Sequence, residues 1–232
     1  MIAAAHSAVE FIIPILLMVL VGAGMIFDTL RQSRTKRQRV SDLRGLATRL
    51  GFDDFNPNRD ENFVIGWGFL SRLAQGQDRY AFNILRGTYH EQSLFVFDYH
   101  YQTGSGKNRR EHDCTMLMLI VKEAFPQLTI GPEDLGEKIA AAFGIGNDIK
   151  FESAEFSRTY CVRSKDKKFA YDVCNPQMIE YLLANRDSEI EIQGPIISLA
   201  FEPQLPVGQI EFNLQRLIEI RSRLPQYLFT NA

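Results

Sequence analysis

The hydrophobic pattern of this chain opens with one uninterrupted block. From Phe11 to Phe27 it reads Phe-Ile-Ile-Pro-Ile-Leu-Leu-Met-Val-Leu-Val-Gly-Ala-Gly-Met-Ile-Phe, seventeen residues without a charge. Crossing the hydrocarbon core takes about 20 apolar residues in a helix, with about 17 as the lower bound. Ala8 and Val9 extend the run, and Glu10 lies close enough to its end to reach the headgroups. An ordinary core helix would show a polar face, and this run has none. Pro14 falls in the first turn or so, where a missing N–H costs least. Gly22 and Gly24 are tolerated in membrane helices, whose backbone groups still pair internally. The competing reading is a cleaved signal peptide, with Val21-Gly22-Ala23 as a small-residue cleavage site. That reading needs a positive n-region, and only His6 and Glu10 stand before the run. The pattern predicts a short tail over 1–8 and an uncleaved transmembrane helix over 9–28.

Beyond the block the periodicity changes. Val40, Leu43, Leu46, Ala47 and Leu50 recur at helical spacing, which predicts a juxtamembrane helix over 29–50 with an apolar face able to dock on the domain. Gly51 is its expected stop. Asp53 to Asn62 is dense in Asp, Asn and Pro and predicts a loop. Tyr80–Arg86, Ser93–Gln102 and Cys114–Lys122 then predict a three-stranded antiparallel meander, separated by turn residues around Gly87 to Gln92 and Gly104 to Asn108. Phe95, Phe97, Tyr99 and Tyr101 alternate onto one face of the middle strand, the expected core face.

Later segments mix helices and strands. Pro132 opens an expected helix with Leu135, Ile139, Ala142 and Phe143 on one face, ending at Gly144. Phe156 to Arg163 reads as a strand. Asn175-Pro176 is an N-cap followed by proline at the first helical position, opening a helix to about Ala184. Glu189–Gln193 and Ile196–Glu202 flank Gly194-Pro195 as an expected hairpin. Pro206 opens a final helix with Val207, Ile210, Leu214, Leu217, Ile218 and Leu224 on one face, stopped by Pro225. Grouped rather than alternating elements predict an α+β domain over 51–232 with antiparallel sheets.

Composition changes this picture little, charge more. With 45% apolar and 23% charged residues the chain has a globular balance. The net charge of −2 conceals an asymmetry: seven basic residues and one acidic residue lie between Arg31 and Arg49, against 19 basic and 25 acidic from residue 50 onward. A basic collar beside an apolar run suits a bilayer surface, and no basic stripe crosses the domain as nucleic-acid binding would require. Arg31, Arg34, Lys36, Arg37 and Arg39 follow the run and nothing basic precedes it, so the positive-inside rule places the N-terminus outside and the domain in the cytoplasm. Cys114, Cys161 and Cys174 are odd in number and form no C-x-x-C pair, which predicts buried thiols in a reducing compartment.

Candidate chemistry is thin. Gly104-Ser105-Gly106-Lys107 lacks the upstream Gly and downstream Ser or Thr of a P-loop, where Tyr101 and Asn108 stand, and reads as a hairpin tip. Its neighbours Lys107, Arg109 and Arg110 can meet lipid headgroups or an acidic partner. The Asp53–Asn62 carboxylates do not match an EF-hand. If the hairpin centres near Gly106, His100 faces His112 and Asp98 faces Cys114, a set adequate for zinc, though a one-residue slip scatters it. Neither a G-x-S-x-G elbow nor an H-E-x-x-H helix exists, and His90 sits in an expected turn. Trp67 and Phe69 read as aromatics packing their loop onto the domain, with an exposed contact as the alternative. No catalytic, cofactor-binding or metal-ligating residue is assigned.

Leu85-Arg86-Gly87-Thr88-Tyr89, Val96 through Lys107, Asp148 through Ser153, and Phe156-Ser157-Arg158 together resemble a family of bacterial single-pass membrane proteins of unknown function. Its members have an N-terminal membrane helix, a basic stretch and a cytoplasmic α+β domain. The resemblance implies an inner-membrane location and brings no activity, cofactor or functional residue. The resulting expectation is a membrane-anchored binding or scaffold protein whose partners are the lipid bilayer and a membrane-proximal protein, not nucleic acid. Alternatives are an enzyme with an unrecognised site, perhaps on the Asp98–His100–His112 face, and a lipid-surface sensing module.

Overall fold

A computed structural model describes residues 30–31, 33–132, 148–186 and 189–229. The apolar run expected to form the transmembrane helix, and the helix expected after Pro132, lie outside the described residues. Among the described residues no helix is long and apolar enough to cross a membrane. The chain divides into two compact units, Met1–Arg44 and Gly45–Ala232.

Helix α1 comprises residues 33–50. Its first part carries exposed Arg34, Lys36 and Arg37; its last part buries Leu46 and Ala47 and ends at Gly51. Phe52 N–H donates back to the Ala47 carbonyl at 2.9 Å, pairing one of the carbonyls a helix end leaves open.

In the second unit, β1 (Asp54–Asn56), β2 (Gln77–Tyr89), β3 (Gln92–Thr103), β4 (Arg110–Pro132), β5 (Tyr160–Ser164) and β6 (Glu189–Phe201) form one antiparallel sheet. The expected meander is its centre, β2–β3–β4. Strand β4 is long because three partners share it. β3 pairs its first half, β5 pairs Leu128–Pro132, and β6 pairs it from Thr115 to Ile130. The residues expected to be a loop over 53–62 instead supply β1, which pairs β2, and Asp60, whose carboxylate accepts the Phe63 N–H at 2.9 Å and caps α2 (Glu61–Gly66). A four-residue α3 (Ser71–Ala74) follows.

Two strand expectations fail for identifiable reasons. Glu189–Gln193 and Ile196–Glu202 are not a hairpin but one continuous β6, because both halves find partners on β4, which takes up the irregularity at Gly194 (φ +53°) with extra residues of its own between Ile120 and Leu128. The first part of the expected strand Phe156–Arg163 is helix α4 (Ala154–Thr159), because Ser153 accepts the Phe156 N–H and starts a turn; only Tyr160 onward is extended. Helices α5 (Lys167–Val173), α6 (Pro176–Ala184) and α7 (Val207–Arg223) follow among the described residues. α6 begins as expected, with Asn175 Oδ1 accepting the Met178 N–H at 3.0 Å.

Phe95, Phe97, Tyr99 and Tyr101 lie in a core cluster with Cys114, Met116 and Met118, covered by Val64, Leu70 and Leu73. The opposite face of the same strands is buried as well, at Leu94, Val96, Leu117 and Leu119. α7 packs against β4 and β6 and buries Ile210, Leu214, Leu217 and Ile220. At Gly87 on β2 a Cβ would stand 2.7 Å from the Cα of Phe52. That neighbour is backbone and cannot swing aside. Gly87→Ala should therefore lower stability by about 1–3 kcal/mol, read as an earlier urea midpoint with an unchanged slope.

Candidate functional site

The strand register decides the fate of the histidine set. β3 pairs β4 with Thr103 opposite Arg110, so Tyr101 faces His112, His100 faces Asp113, Tyr99 faces Cys114 and Asp98 faces Thr115. This is one residue away from the register that would gather Asp98, His100, His112 and Cys114. The turn Gly106–Asn108 is a 3₁₀ turn and shifts the centre of the hairpin off Gly106. Because side chains alternate across a strand, the slip divides the four between the two faces, His112 and Cys114 on one and Asp98 and His100 on the other. Among the described residues no group of three or more His, Cys, Asp or Glu side chains could hold a metal ion.

Each face carries a polar cluster of its own. On the second face, Asp98 accepts from Asn83 Nδ2 at 2.8 Å and from Thr115 Oγ1 at 3.0 Å, and Thr115 in turn accepts the Leu205 N–H at 3.1 Å. His100 pairs through Nδ1 with Asp113 at 2.7 Å and stacks on Tyr80, with ring centroids 4.7 Å apart.

The denser cluster lies on the aromatic face, where Glu202 at the end of β6 is the hub. Its carboxylate accepts from Arg72 Nη2, accepts the Tyr101 hydroxyl at 3.0 Å, and meets His112 Nδ1 at 2.8 Å. His112 Nε2 reaches Thr103 Oγ1 at 2.8 Å, and its ring stacks on Tyr101 with centroids 4.6 Å apart. Tyr101 stacks in turn on Tyr99 at 5.5 Å. Arg72 also faces Glu189 at 3.6 Å. Glu191 lies beside it and accepts the Ser71 N–H at 2.6 Å and the Arg72 N–H at 3.3 Å. A buried carboxylate from β6 thus meets the open N–H groups at the start of α3, which local sequence does not cap.

Burial and charge set the ionisation of the group. Burial opposes charge at Arg72, but Glu189 and Glu202 among its neighbours outweigh it and raise its pKa. Burial also pushes Glu202 upward; the His112 hydrogen bond, the Arg72 charge and the Tyr101 hydroxyl overcome this and hold it below the usual carboxylate value. Glu189 and Glu191 are raised by burial, only partly offset by Arg72 at the first and by the Ser71 and Arg72 hydrogen bonds at the second. Burial pushes the Cys114 thiol up to about 12, so it is not a nucleophile at neutral pH. Cys114, Cys161 and Cys174 are buried and form no disulfide. The arrangement is a set of groups aimed at one another: it ties α3, the β3–β4 hairpin and the end of β6 together.

Arg72, Glu189, Glu191 and Glu202 were not among the residues singled out by sequence. Glu189-Ile190-Glu191-Ile192 alternates like a strand with one wet face, and only the covering α3 segment turns that face inward. A cleft of about 660 Å³ lies elsewhere, where Asn175 and Pro176 at the start of α6 meet Arg221, Arg223 and Phe229; no member of the Glu202 cluster lines it. Trp67 packs on the core face, its ring 6.0 Å from Phe95, whereas Phe69 remains 40% exposed.

No protein-family model matches this chain, and no curated protein is similar enough in sequence to stand as a relative. Among solved structures, the mycobacterial trehalose monomycolate transport factor A, TtfA, is similar with a TM-score of 0.54 and 14% identity, over 82% of this chain and 96% of that one. At that identity the likeness is one of fold. A bacterial protein therefore shares this α+β architecture along almost its whole length.

Proposed function

We propose that this chain is a membrane-tethered accessory protein, a non-catalytic binding or scaffold domain held at the cytoplasmic face of a bacterial inner membrane. The observation that carries the reading is the uncharged run Phe11–Phe27 followed, after Asp28-Thr29-Leu30, by five cations within Arg31–Arg39. Tethering raises the effective concentration of a domain for membrane-proximal partners, so a protein of this design recruits rather than reacts. The Glu202 cluster supports the same reading, since its charged groups bind one another. The similar mycobacterial structure is that of a transport factor, an accessory role of the kind proposed. The enzyme alternative built on the Asp98–His100–His112 face loses its residues to the strand register.

The test is fractionation of the full chain alongside a version lacking residues 1–29. The full chain should sediment with membranes and resist carbonate extraction, and the shortened one should not. Protease added to intact spheroplasts should leave the domain whole. A full chain that washes off in carbonate overturns the tether; digestion of the domain from outside overturns the orientation. Crosslinking in membranes followed by mass spectrometry should return a reproducible membrane-proximal partner, and a repeated failure to find one removes the scaffold role.

A further inference from the structure

The register that scatters the four metal candidates brings three other groups into line. Tyr101 pairs with His112 and Thr103 with Arg110, so Thr103 and His112 are diagonal neighbours on one face. His112 Nε2 meets Thr103 Oγ1 at 2.8 Å, and its Nδ1 meets Glu202 Oε1 at 2.8 Å. Glu202 is held below the usual carboxylate value, so at neutral pH it only accepts, and the ring nitrogen facing it must carry the proton. In the neutral ring Nε2 is then a bare lone pair, and the Thr103 hydroxyl donates to it. A hydroxyl, an imidazole and a carboxylate in this order are a nucleophile, its base and the group that orients the base.

The surroundings hold this order in place. The His112 ring lies flat on Tyr101, with an interplanar angle of 10°. The Tyr101 hydroxyl and Arg72 both bind the second oxygen of Glu202, Oε2, and leave Oε1 to the histidine. The row is buried behind and open in front. Tyr101 is buried, whereas the His112 side chain is 23% and that of Glu202 34% exposed, and Thr103 is half-buried at the end of β3. Arg110, directly opposite Thr103, shares its face and is exposed. A cation therefore stands beside the hydroxyl, where negative charge develops when an oxygen attacks a carbonyl carbon.

We propose that Thr103 is an acyl-acceptor site, a hydroxyl that takes up one acyl group from an activated ester or thioester, with His112 as its base and Glu202 as the positioning residue. The inference goes beyond the tether and does not depend on it. An acceptor modified once per chain is not a catalyst, in keeping with an accessory domain. In the step, Thr103 Oγ1 bonds to the carbonyl carbon while its proton passes to His112 Nε2. The tetrahedral intermediate then expels the donor's oxygen or sulfur, which takes that proton from Nε2. Thr103 is left as an ester, the leaving group departs as an alcohol or thiol, and the ring is neutral again.

The probe is p-nitrophenyl acetate, added to the full chain in detergent. Absorbance follows the released nitrophenol, and peptide mass spectrometry locates the acetyl group. One nitrophenol should be released per chain and the acetyl group found on Thr103. Thr103→Ser should keep the reaction and Thr103→Val should abolish it, both with the emission of the single tryptophan, Trp67, unchanged. His112→Gln should slow it about 100-fold, the smaller end of what a general base supplies. Glu202→Gln frees the ring to take the other tautomer and should shift the pH dependence of the rate. A Glu202 that only holds the fold lowers stability and leaves that dependence in place, which overturns its positioning role. Acetylation confined to lysines overturns the proposal, and so does acetylation of Thr103 at an equal rate in a folded His112→Gln. Steady release beyond one equivalent overturns the acceptor role, because the ester is then being hydrolysed.

Discussion

Arg72→Met should cost about 3–5 kcal/mol at neutral pH, measured by urea denaturation of the detergent-solubilised full chain. The Arg72 side chain is only 11% exposed, and its guanidinium faces Glu189 and Glu202. Removing it leaves the Glu189 carboxylate buried without the cation that offsets its desolvation, and an uncompensated buried charge costs far more than the pair contributes. The hydrogen bonds from the backbone N–H groups of Ser71 and Arg72 to Glu191 survive the substitution, so the loss measures the ion pairs and not the start of α3. The double variant Arg72→Met with Glu189→Gln should recover a large part of the loss, because it removes both charges together.

The pH dependence separates this mechanism from simple loss of packing. Glu189 has a folded pKa raised above its ordinary value of 4.5, so its ionisation opposes folding in full above that folded pKa, and the opposition shrinks as pH falls below it and is gone below the ordinary value. Without Arg72 the opposition grows. The deficit of Arg72→Met relative to the parent should therefore shrink as pH falls from neutrality toward the ordinary carboxyl range. Glu202 works the other way. Its folded pKa is depressed, chiefly by His112 and Arg72 acting against burial, so its contribution is present above the unfolded value and is lost as pH falls through the lower folded one. The parent should accordingly weaken at a pH below that at which the variant begins to recover. A deficit constant across both windows means that Arg72 acts through packing alone.

The meander, the α6 cap and α7 were legible because their signals are local. Asn175-Pro176 stops and starts the backbone by its own chemistry, and β3 declares itself by the aromatics at every second position from Phe95 to Tyr101. What sequence missed was decided across space. Gly194-Pro195 is an ordinary turn signal, but the pairing of both flanking segments with the long β4 overrides it. Ser153 caps a single short turn directly before the β-forming Tyr160-Cys161-Val162, and the strand signal of those residues is easily read back into the turn. The register error at His112 came from a one-residue difference in the hairpin tip, and a period of two makes any such error invert every face. The Glu202 cluster was invisible for a related reason. Glu189, Glu191 and Glu202 lie in β6 or just beyond it, Arg72 lies in α3, and nothing in either segment states that the other covers it.

The aromatic face makes the remaining strong prediction: Phe97→Ala should lower stability by about 3–5 kcal/mol, the range for truncating a fully buried phenylalanine. Phe97 is 1% exposed and meets Phe63 edge-to-face at 4.9 Å. α2 is only six residues long, far too short to persist as an isolated helix, so its position depends on the rings beneath it. A double-mutant cycle of Phe97→Ala with Phe63→Ala should give a coupling of about 0.5–1.5 kcal/mol, the range for such aromatic pairs. Trp67, four residues after Phe63 and 6.0 Å from Phe95, should report the loosening as a red-shifted emission in Phe97→Ala before global unfolding. Phe212→Ala is the matched control, since that ring is 60% exposed and its loss should shift stability by no more than about 0.5 kcal/mol. If Phe97→Ala lowers stability while the Trp67 emission holds until the global transition, α2 is fixed by contacts other than this ring.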